Sequence, residues 1–326
     1  MNIIGIDIGG TKCSVLLGRT DENGVLSVIS RERVLTRDFP DPWKMISQFH
    51  EMIGHLLIDN DTEISSVSSI GISCGGPLDS KSGVIYSPPN LPGWDEIPIV
   101  KIFHDKYGIP VSIQNDANAC ALAEWLMGAG RGTSNMIFLT FGTGMGSGLI
   151  LNGKLYAGTN DLGGEIGHIR LAKKGPVGFG KEGSFEGFCS GGGIAQLAKS
   201  IVREKLIKNE VVEFCPSEEN IEVIDTRIVA EAAVKGDSVA LEIIRIAADY
   251  LGQGLAILID ILNPECIVIG SIYARNEMLF KPLIEETLKR EAIPASLAVC
   301  TIKPSELGES IGDFAALCVA VYKEKF

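Results

Sequence analysis

Two glycine-rich turns in this 326-residue chain are flanked by residue types able to hold phosphate. The first follows Asp7 and reads Gly9-Gly10-Thr11-Lys12; the second follows Thr140 and Phe141 and reads Gly142-Thr143-Gly144-Met145-Gly146-Ser147-Gly148. Glycine lets backbone N–H groups come close to an anion, and the hydroxyls of Thr11, Thr140, Thr143 and Ser147 add donors beside them. Either turn alone reads as an ordinary sheet turn. Together, with Asp7 able to orient a magnesium ion through water and Lys12 able to offset phosphate charge, they point to a polyphosphate gripped from both sides. Asn115-Asp116-Ala117-Asn118 follows a short strand and opens a helix. Asp116 there is either an ordinary cap or a base taking a proton from an attacking hydroxyl, with the helix dipole expected to keep it ionised. Glu165 and His168 lie three apart, so a helical turn aims both one way, and with Glu186 they read as hydrogen-bonding groups for a polyhydroxy ligand. A metal site from the same residues is poorly supported, since Cys189 is the only thiol nearby.

The elements that must position these residues follow from the apolar pattern. Apolar residues at 3–8 and 13–17 flank the first turn, and 136–141 and 149–151 flank the second, so two strand–turn–strand units stand about half a chain apart. That spacing suggests two related domains, with a hinge near 114–120. Between them the pattern predicts a helix over 43–58, strands at 69–73 and 111–113, a Pro/Gly loop at 88–93 and a helix over 115–128. A long structured loop covers 163–193. Helices at 194–208, 226–236 and up to 262, a strand at 266–269 and a last helix over 312–323 complete the chain. The glycines after 142 lead into Leu149-Ile150-Leu151, a hairpin strand, whereas a dinucleotide fingerprint needs a helix there to receive the pyrophosphate. Hydride transfer is therefore set aside, and the P-loop spacing is absent.

Composition bounds the remaining classes. Hydrophobic residues make up 45% and charged residues 21%, enough to bury a sizeable core in about two domains. A net charge of −12 argues against a nucleic-acid partner, because no basic surface displaces phosphate counterions. The N-terminus shows no leader pattern, and the most apolar stretch, 243–262, is interrupted by Arg245, Asp249 and Asp260, so it reads as a buried helix rather than a membrane span. Eight scattered cysteines without a C-x-x-C pair suit a reduced, cytoplasmic chain.

Taken together, Asp7-Ile8-Gly9-Gly10-Thr11-Lys12, Asn115-Asp116-Ala117-Asn118, Gly142-Thr143-Gly144-Met145-Gly146 and Glu165-Ile166-Gly167-His168 resemble the ROK family (repressors, open reading frames, kinases) of the actin and hexokinase superfamily. The resemblance runs nearly full length, from Ile3 to the C-terminal helix. It implies a two-domain α/β fold, actin-like (ribonuclease H-like), with a central interdomain cleft. A smaller domain would comprise residues 1–117 plus 309–326, with the C-terminal helix packing back on it, and a larger one residues 118–308. The implied activity is glucokinase-like: ATP-dependent phosphorylation of a hexose hydroxyl with Mg2+, Asp116 acting as general base. Asp7, Gly9, Gly10, Thr11 and Lys12 match the family's first phosphate loop, Thr140, Gly142, Thr143 and Gly144 the second, and Gly270 the adenine-side motif. Gly76, Asn90, Asn115, Asp116, Glu165, His168 and Glu186 match the sugar pocket. Glucose or a close relative is preferred, with an N-acetylhexosamine or fructose also open. A cytoplasmic homodimer without nucleic-acid or membrane partners is expected.

Two alternatives accompany that reading. One is a sugar sensor, since some relatives are repressors; those carry an N-terminal winged helix-turn-helix, for which a phosphate motif starting at Ile3 leaves no room. The other is a catalytically weak sugar-binding protein, against which Asp116 and Lys12 stand. The sequence also departs from the family twice. Members usually carry a structural zinc cluster of three cysteines, where Val177, Phe179 and Ser184 stand here. The expectation is a zinc-free loop held by apolar packing of Val177, Phe179 and Phe185, leaving His168 to the sugar alone. Where the family usually has consecutive glycines on the adenine side, this chain reads Gly270-Ser271-Ile272, which leaves nucleotide preference open.

Overall fold

A computed structural model of the protein describes residues 1–22 and 24–322. Strand β1 (Asn2–Ile8) turns at Gly9-Gly10 into β2 (Lys12–Thr20), and β3 (Leu26–Leu35) extends the antiparallel ribbon. Helix α1 (Pro42–Asp59) starts where the Asp41 side chain accepts from the Lys44 N–H and Pro42 supplies a preset first turn. Strand β4 (Val67–Cys74), the small hairpin β5 (Leu78–Asp79) and β6 (Val84–Ile85), helix α2 (Ile99–Tyr107), strand β7 (Val111–Asn115) and helix α3 (Asp116–Met127) follow. Next come β8 (Met136–Phe141), β9 (Met145–Leu151) and β10 (Lys154–Tyr156). The short hairpin β11 (Val177–Gly178) and β12 (Lys181–Glu182) leads to α4 (Phe185–Cys189), α5 (Gly191–Ile207), α6 (Thr226–Val234) and α7 (Ser238–Leu262). The chain continues through β13 (Cys266–Ile269), α8 (Ser271–Arg275), α9 (Glu277–Glu291), α10 (Pro294–Leu297), β14 (Thr301–Pro304) and α11 (Ile311–Val321).

These elements form two compact units. The first holds Met1–Ser134, Gly148–Gly164 and the chain from Glu306 onward; the second holds Asn135–Ser147 and Glu165–Ser305. In the first, the strand order is β3-β2-β1-β4-β7, with β4 parallel to β1 and β7 parallel to β4. Alternation along β1 sends Ile4, Ile6 and Ile8 into a core shared with Met45, Phe49, Met52 and Ile53 of α1. The opposite face receives α11. It sits so close that a Cβ on Gly71 would overlap the Ala316 carbonyl and the Ala320 N–H, while the Ser69 hydroxyl donates to the Ala320 carbonyl at 2.7 Å. Asp7, two residues beyond Gly5, faces the same way as α11.

The second unit repeats the first unit's motif. A strand (β8) and a glycine turn lead into β9; β13 then lies parallel to β8, and β14 parallel to β13. Its core is built on the 25-residue α7, whose buried face includes Ile243, Ala247, Leu251, Leu255 and Ile259. Thr287 closes on Gly252, where a Cβ would come within 2.6 Å of the threonine Cβ.

The structure departs from the sequence expectation in identifiable places. β9 begins at Met145, so the second turn is shorter than 142–148. The loop expected at 163–193 contains a hairpin, a capped helix and the first turn of α5. The first unit also extends past residue 117, the boundary expected from the sequence. Buried Glu124 explains much of this: it accepts from Ala129 N–H at 2.8 Å and Leu307 N–H at 3.0 Å, tying α3 to the segment before α11. Gly148–Gly164 joins it through the Asp161 carboxylate, which accepts from the Ser80 N–H and hydroxyl at 2.7 and 2.8 Å, and through Leu155 N–H on the Tyr322 hydroxyl. The last helix is described to Val321; 323–326 lie outside the described residues. All eight cysteines are free thiols, and among the described residues no helix is long and apolar enough to cross a membrane.

Candidate functional site

In the first unit the candidate phosphate turn and the hydroxyl-binding candidates touch. A Cβ on Gly9 would lie 2.7 Å from the Lys12 carbonyl, and one on Gly10 would lie 2.7 Å from Asn90 Cβ. The turn is further tied down by the Thr36 hydroxyl, which donates to Gly9 O at 2.6 Å, and by Thr36 N–H on Thr11 O at 3.0 Å. Thr11 and Lys12 are exposed beside it. Asn115 is the true cap of α3, its Oδ1 accepting from Ala117 N–H at 2.9 Å; Asp116 is the first helical residue and accepts from the same N–H at 2.8 Å. Gly76 adjoins them, since a Cβ there would lie 3.1 Å from Asn115 Nδ2.

Burial, with the negative charges of Asp116 and Asp313, pushes the Asp7 carboxyl up to about 7; the Ser73 hydroxyl and Lys12 oppose the rise. Gly312, at the start of α11, brings its Cβ position to 3.7 Å from Asp7 Oδ2, which is how Asp313 reaches this neighbourhood. Asp313 is itself paired with Arg31 and with Arg33, the latter at 3.6 Å. At Asp116 the helix N-terminus is not the largest influence. Water reaches its side chain, yet the protein packed around it raises the carboxyl above the ordinary range. The N–H groups of Ala117 and Asp116 itself pull the other way and do not compensate, because the hydration lost around a carboxylate outweighs what so few donors return.

In the second unit the other candidate phosphate turn is closed by Gly142 N–H on Gly144 O at 3.1 Å. Thr140 is drawn inward: its hydroxyl accepts from Gly146 N–H at 2.8 Å, so it braces the turn, while Thr143 is exposed. Gly142 O accepts from Gly191 N–H at 2.7 Å, placing the start of α5 against the turn. Glu165 is the N-cap and His168 the last residue of a single turn of 3-10 helix, and both are exposed. Glu186 lies close by, its Oε2 accepting from Met145 N–H at 3.0 Å. Thr143, Gly191, Gly192, Arg227, Ser271 and Arg275 are among the residues lining a cavity of about 820 Å³ beside the turn. That volume suits a cofactor-sized ligand. Gly270 is buried next to it, its N–H on Leu139 O at 3.0 Å. Ser271 then takes φ +53° and accepts from Arg275 Nη2 at 3.1 Å.

A model of the ROK family matches residues 3–321. The chain belongs to the ROK family. It is 30% identical, over its whole length and 98% of the relative, to a glucokinase of Thermotoga maritima. It is also 30% identical, over 94% of its length and 74% of the relative, to a xylose repressor of Caldicellulosiruptor bescii. Among solved structures, a ROK family glucokinase from Streptomyces griseus in complex with glucose and AMPPNP matches with TM-score 0.74 at 28% identity, over 98% of this chain and 99% of that one. The α/β fold is thus the actin-like ATPase fold of ROK sugar kinases.

Within this ROK chain, the segment that replaces the family's cysteine cluster is held differently from the sequence expectation. Val177 and Phe179 are 45% and 79% exposed, so neither packs as a core residue; only Phe185 is fully buried. Polar groups hold the loop instead. Gln196 accepts from Val177 N–H at 3.0 Å and donates to Val177 O at 2.9 Å, and Gly183 O accepts from the N–H groups of Leu171 and Ala172. Ser184, at the third cysteine position, is completely buried and caps α4 by accepting from Gly187 N–H at 3.1 Å. His168 is not isolated from this loop, because the Phe179 ring meets its imidazole edge-on at 6.2 Å and Lys181 Nζ donates to its carbonyl at 2.7 Å. Cys189 is buried, with its thiol on Ala247 O.

Several residues around these turns escaped the sequence reading. Asp313 and Ser73 come to Asp7 only through the fold, and no local pattern marks them. The early start of α5 was legible: Ser190 before three glycines is a capping residue, and its hydroxyl accepts from Gly193 N–H at 3.0 Å.

Proposed function

We propose that this protein transfers the γ-phosphoryl group of ATP to a hydroxyl of a hexose, with glucose or a close relative as the preferred acceptor. One observation carries the reading. In each unit a phosphate turn abuts a residue expected to hold sugar hydroxyls: Gly10 against Asn90 in the first, Gly144 and Met145 against Glu186 in the second. Each pairing supports the reading that phosphate and hydroxyl recognition share one surface within its own unit.

Asp116 takes the proton of the attacking hydroxyl as its oxygen bonds to the γ-phosphorus and the bond to the bridging oxygen of ADP breaks. A loose phosphoryl transfer loses that proton late, so a carboxylate suffices, and a raised carboxyl is a better acceptor than an ordinary one. Glu165, His168, Glu186, Asn90 and Asn115 would orient the hexose. The cavity beside Gly142 and Thr143 would take the nucleoside, with the N-terminal end of α5 facing its phosphates. Asp7, crowded by Asp116 and Asp313, is a site where a cation relieves repulsion, so the residues fit Mg2+. Asp7 would hold the ion through water. When bound, Mg2+ supplies charge neutralisation at the phosphate oxygens. Eight free thiols suit a cytoplasmic enzyme.

The test is an ADP-release assay with Mg-ATP against glucose, mannose, fructose, allose, N-acetylglucosamine and N-acetylmannosamine. Asp116→Asn should lower turnover by roughly 10² to 10⁴ with sugar binding kept. An unchanged rate removes Asp116 as the base. Sugar binding without turnover of any sugar overturns the kinase reading in favour of a sugar sensor or a catalytically weak sugar-binding protein.

A further inference from the structure

Glu186 occupies a more connected position than a sugar ligand requires. It is the second residue of α4, set by the buried Ser184 cap, and half-buried. Its Cβ is wedged between two glycines: an added Cβ would come within 2.7 Å at Gly178 and 3.3 Å at Gly167. Its Oε2 lies 2.9 Å from where a Gly144 Cβ would stand and accepts the N–H of Met145, a buried residue, at 3.0 Å. Its Oε1 has no hydrogen-bond partner among the described residues. One carboxylate oxygen thus holds the phosphate turn and the other is left for a ligand.

We propose that Glu186 is a positioning residue for the second phosphate turn, through Met145 N–H, as well as a ligand of the sugar, so that one side chain sets nucleotide affinity and sugar affinity together. The sugar half of this statement rests on the kinase reading; the loop half rests only on its nucleotide-binding part, and the effect on Met145 on neither. The turn between Gly142 and Gly146 is otherwise closed by Gly142 N–H on Gly144 O and by Gly146 N–H on the Thr140 hydroxyl. Loss of the carboxylate removes the acceptor of Met145 N–H, between those two braces. A buried donor left without its acceptor drives local rearrangement, and here the rearranging atoms belong to the turn assigned to phosphate.

Two variants separate the roles. Glu186→Gln keeps an amide oxygen that accepts from Met145 N–H but removes the charge offered to a sugar hydroxyl; Glu186→Ala removes both. Amide hydrogen exchange at Met145 in the ligand-free protein reads the loop directly. Exchange in Glu186→Ala should accelerate roughly tenfold or more, and remain within about threefold of wild type in Glu186→Gln. The KM for ATP and the Kd for ADP should rise roughly tenfold in Glu186→Ala and stay near wild type in Glu186→Gln, whereas the KM for the sugar rises in both. Unchanged Met145 exchange and unchanged ADP affinity in Glu186→Ala would overturn the positioning role and leave the kinase reading standing. A wild-type protein that phosphorylates no sugar would sink the kinase reading, while the exchange and ADP measurements still decide the role of Glu186 in the loop.

Discussion

Asp7→Asn should stabilise the free protein at alkaline pH while abolishing its activity. In the folded chain the Asp7 carboxyl is raised from 3.8 to about 7, first by burial and then by Asp116 and Asp313. The unfolded chain ionises near the ordinary value, so between about pH 4 and pH 7 the folded state binds the extra proton. The favourable contribution of Asp7 is therefore complete below the lower value and is lost as pH rises through the upper one. Each decade is worth about 1.4 kcal/mol, which puts a ceiling near 4 kcal/mol on the penalty above pH 7. Partial contact with water and relaxation of the neighbouring carboxylates bring the expected penalty to about 2 kcal/mol. Asparagine fills the same space, can still accept from Ser73 and cannot ionise. At 2–4 °C per kcal/mol for a unit of this size, its Tm should exceed that of wild type by roughly 4–8 °C at pH 8.5, and the gap should close towards pH 4. The assay is calorimetry across that range without nucleotide or divalent cation. A Tm difference that does not vary with pH, or a wild type that gains on the variant as pH rises, would refute the electrostatic account of Asp7.

The remaining predictions concern packing and the segment around Val177–Ser184. Ser184→Ala removes a buried helix cap and should cost about 1–2 kcal/mol in urea denaturation; an unchanged midpoint would mean the cap is dispensable. Phe179→Ser, at a 79% exposed position, should change stability by less than about 0.5 kcal/mol, and a larger loss would restore the apolar-packing expectation for this loop. Gly71→Ala places a methyl group on the Ala316 carbonyl and the Ala320 N–H, so the first unit should lose about 3 kcal/mol or more. A neutral effect on the urea midpoint would contradict the docking of α11 described above.

Strongly periodic or punctuated segments were legible in the sequence. β13 matches its expected range, and α1, α3 and α6 lie within two residues of theirs at each end, because each is bounded by a capping residue, a turn or an abrupt change of periodicity. β3, with alternating exposure and charged residues at Arg31, Glu32 and Arg33, carries too little apolar signal to stand out, and α9 hides behind Pro282. The candidate site divides in the same way. Asp7, Asp116 and the two turns announce themselves by residue type, whereas Asp313 and Arg275 acquire a role only from what the fold places beside them.

The misread detail of the site has a physical cause. The apolar-packing argument for Val177 and Phe179 weighed residue type and omitted that Gln196, one turn into α5, offers both a donor and an acceptor to the backbone. The glycines carry the converse lesson. Gly9, Gly10 and Gly144 lie outside the left-handed region, so backbone conformation does not demand glycine at any of them. What excludes a side chain is the neighbour: the Lys12 carbonyl at Gly9, Asn90 at Gly10 and the Glu186 carboxylate at Gly144. Two of those three neighbours are candidate hydroxyl ligands. The glycine pattern that reads as phosphate chemistry in one dimension is therefore also the imprint of the neighbours pressing on the turns, and a substitution at Gly10 or Gly144 should disturb Asn90 or Glu186 directly.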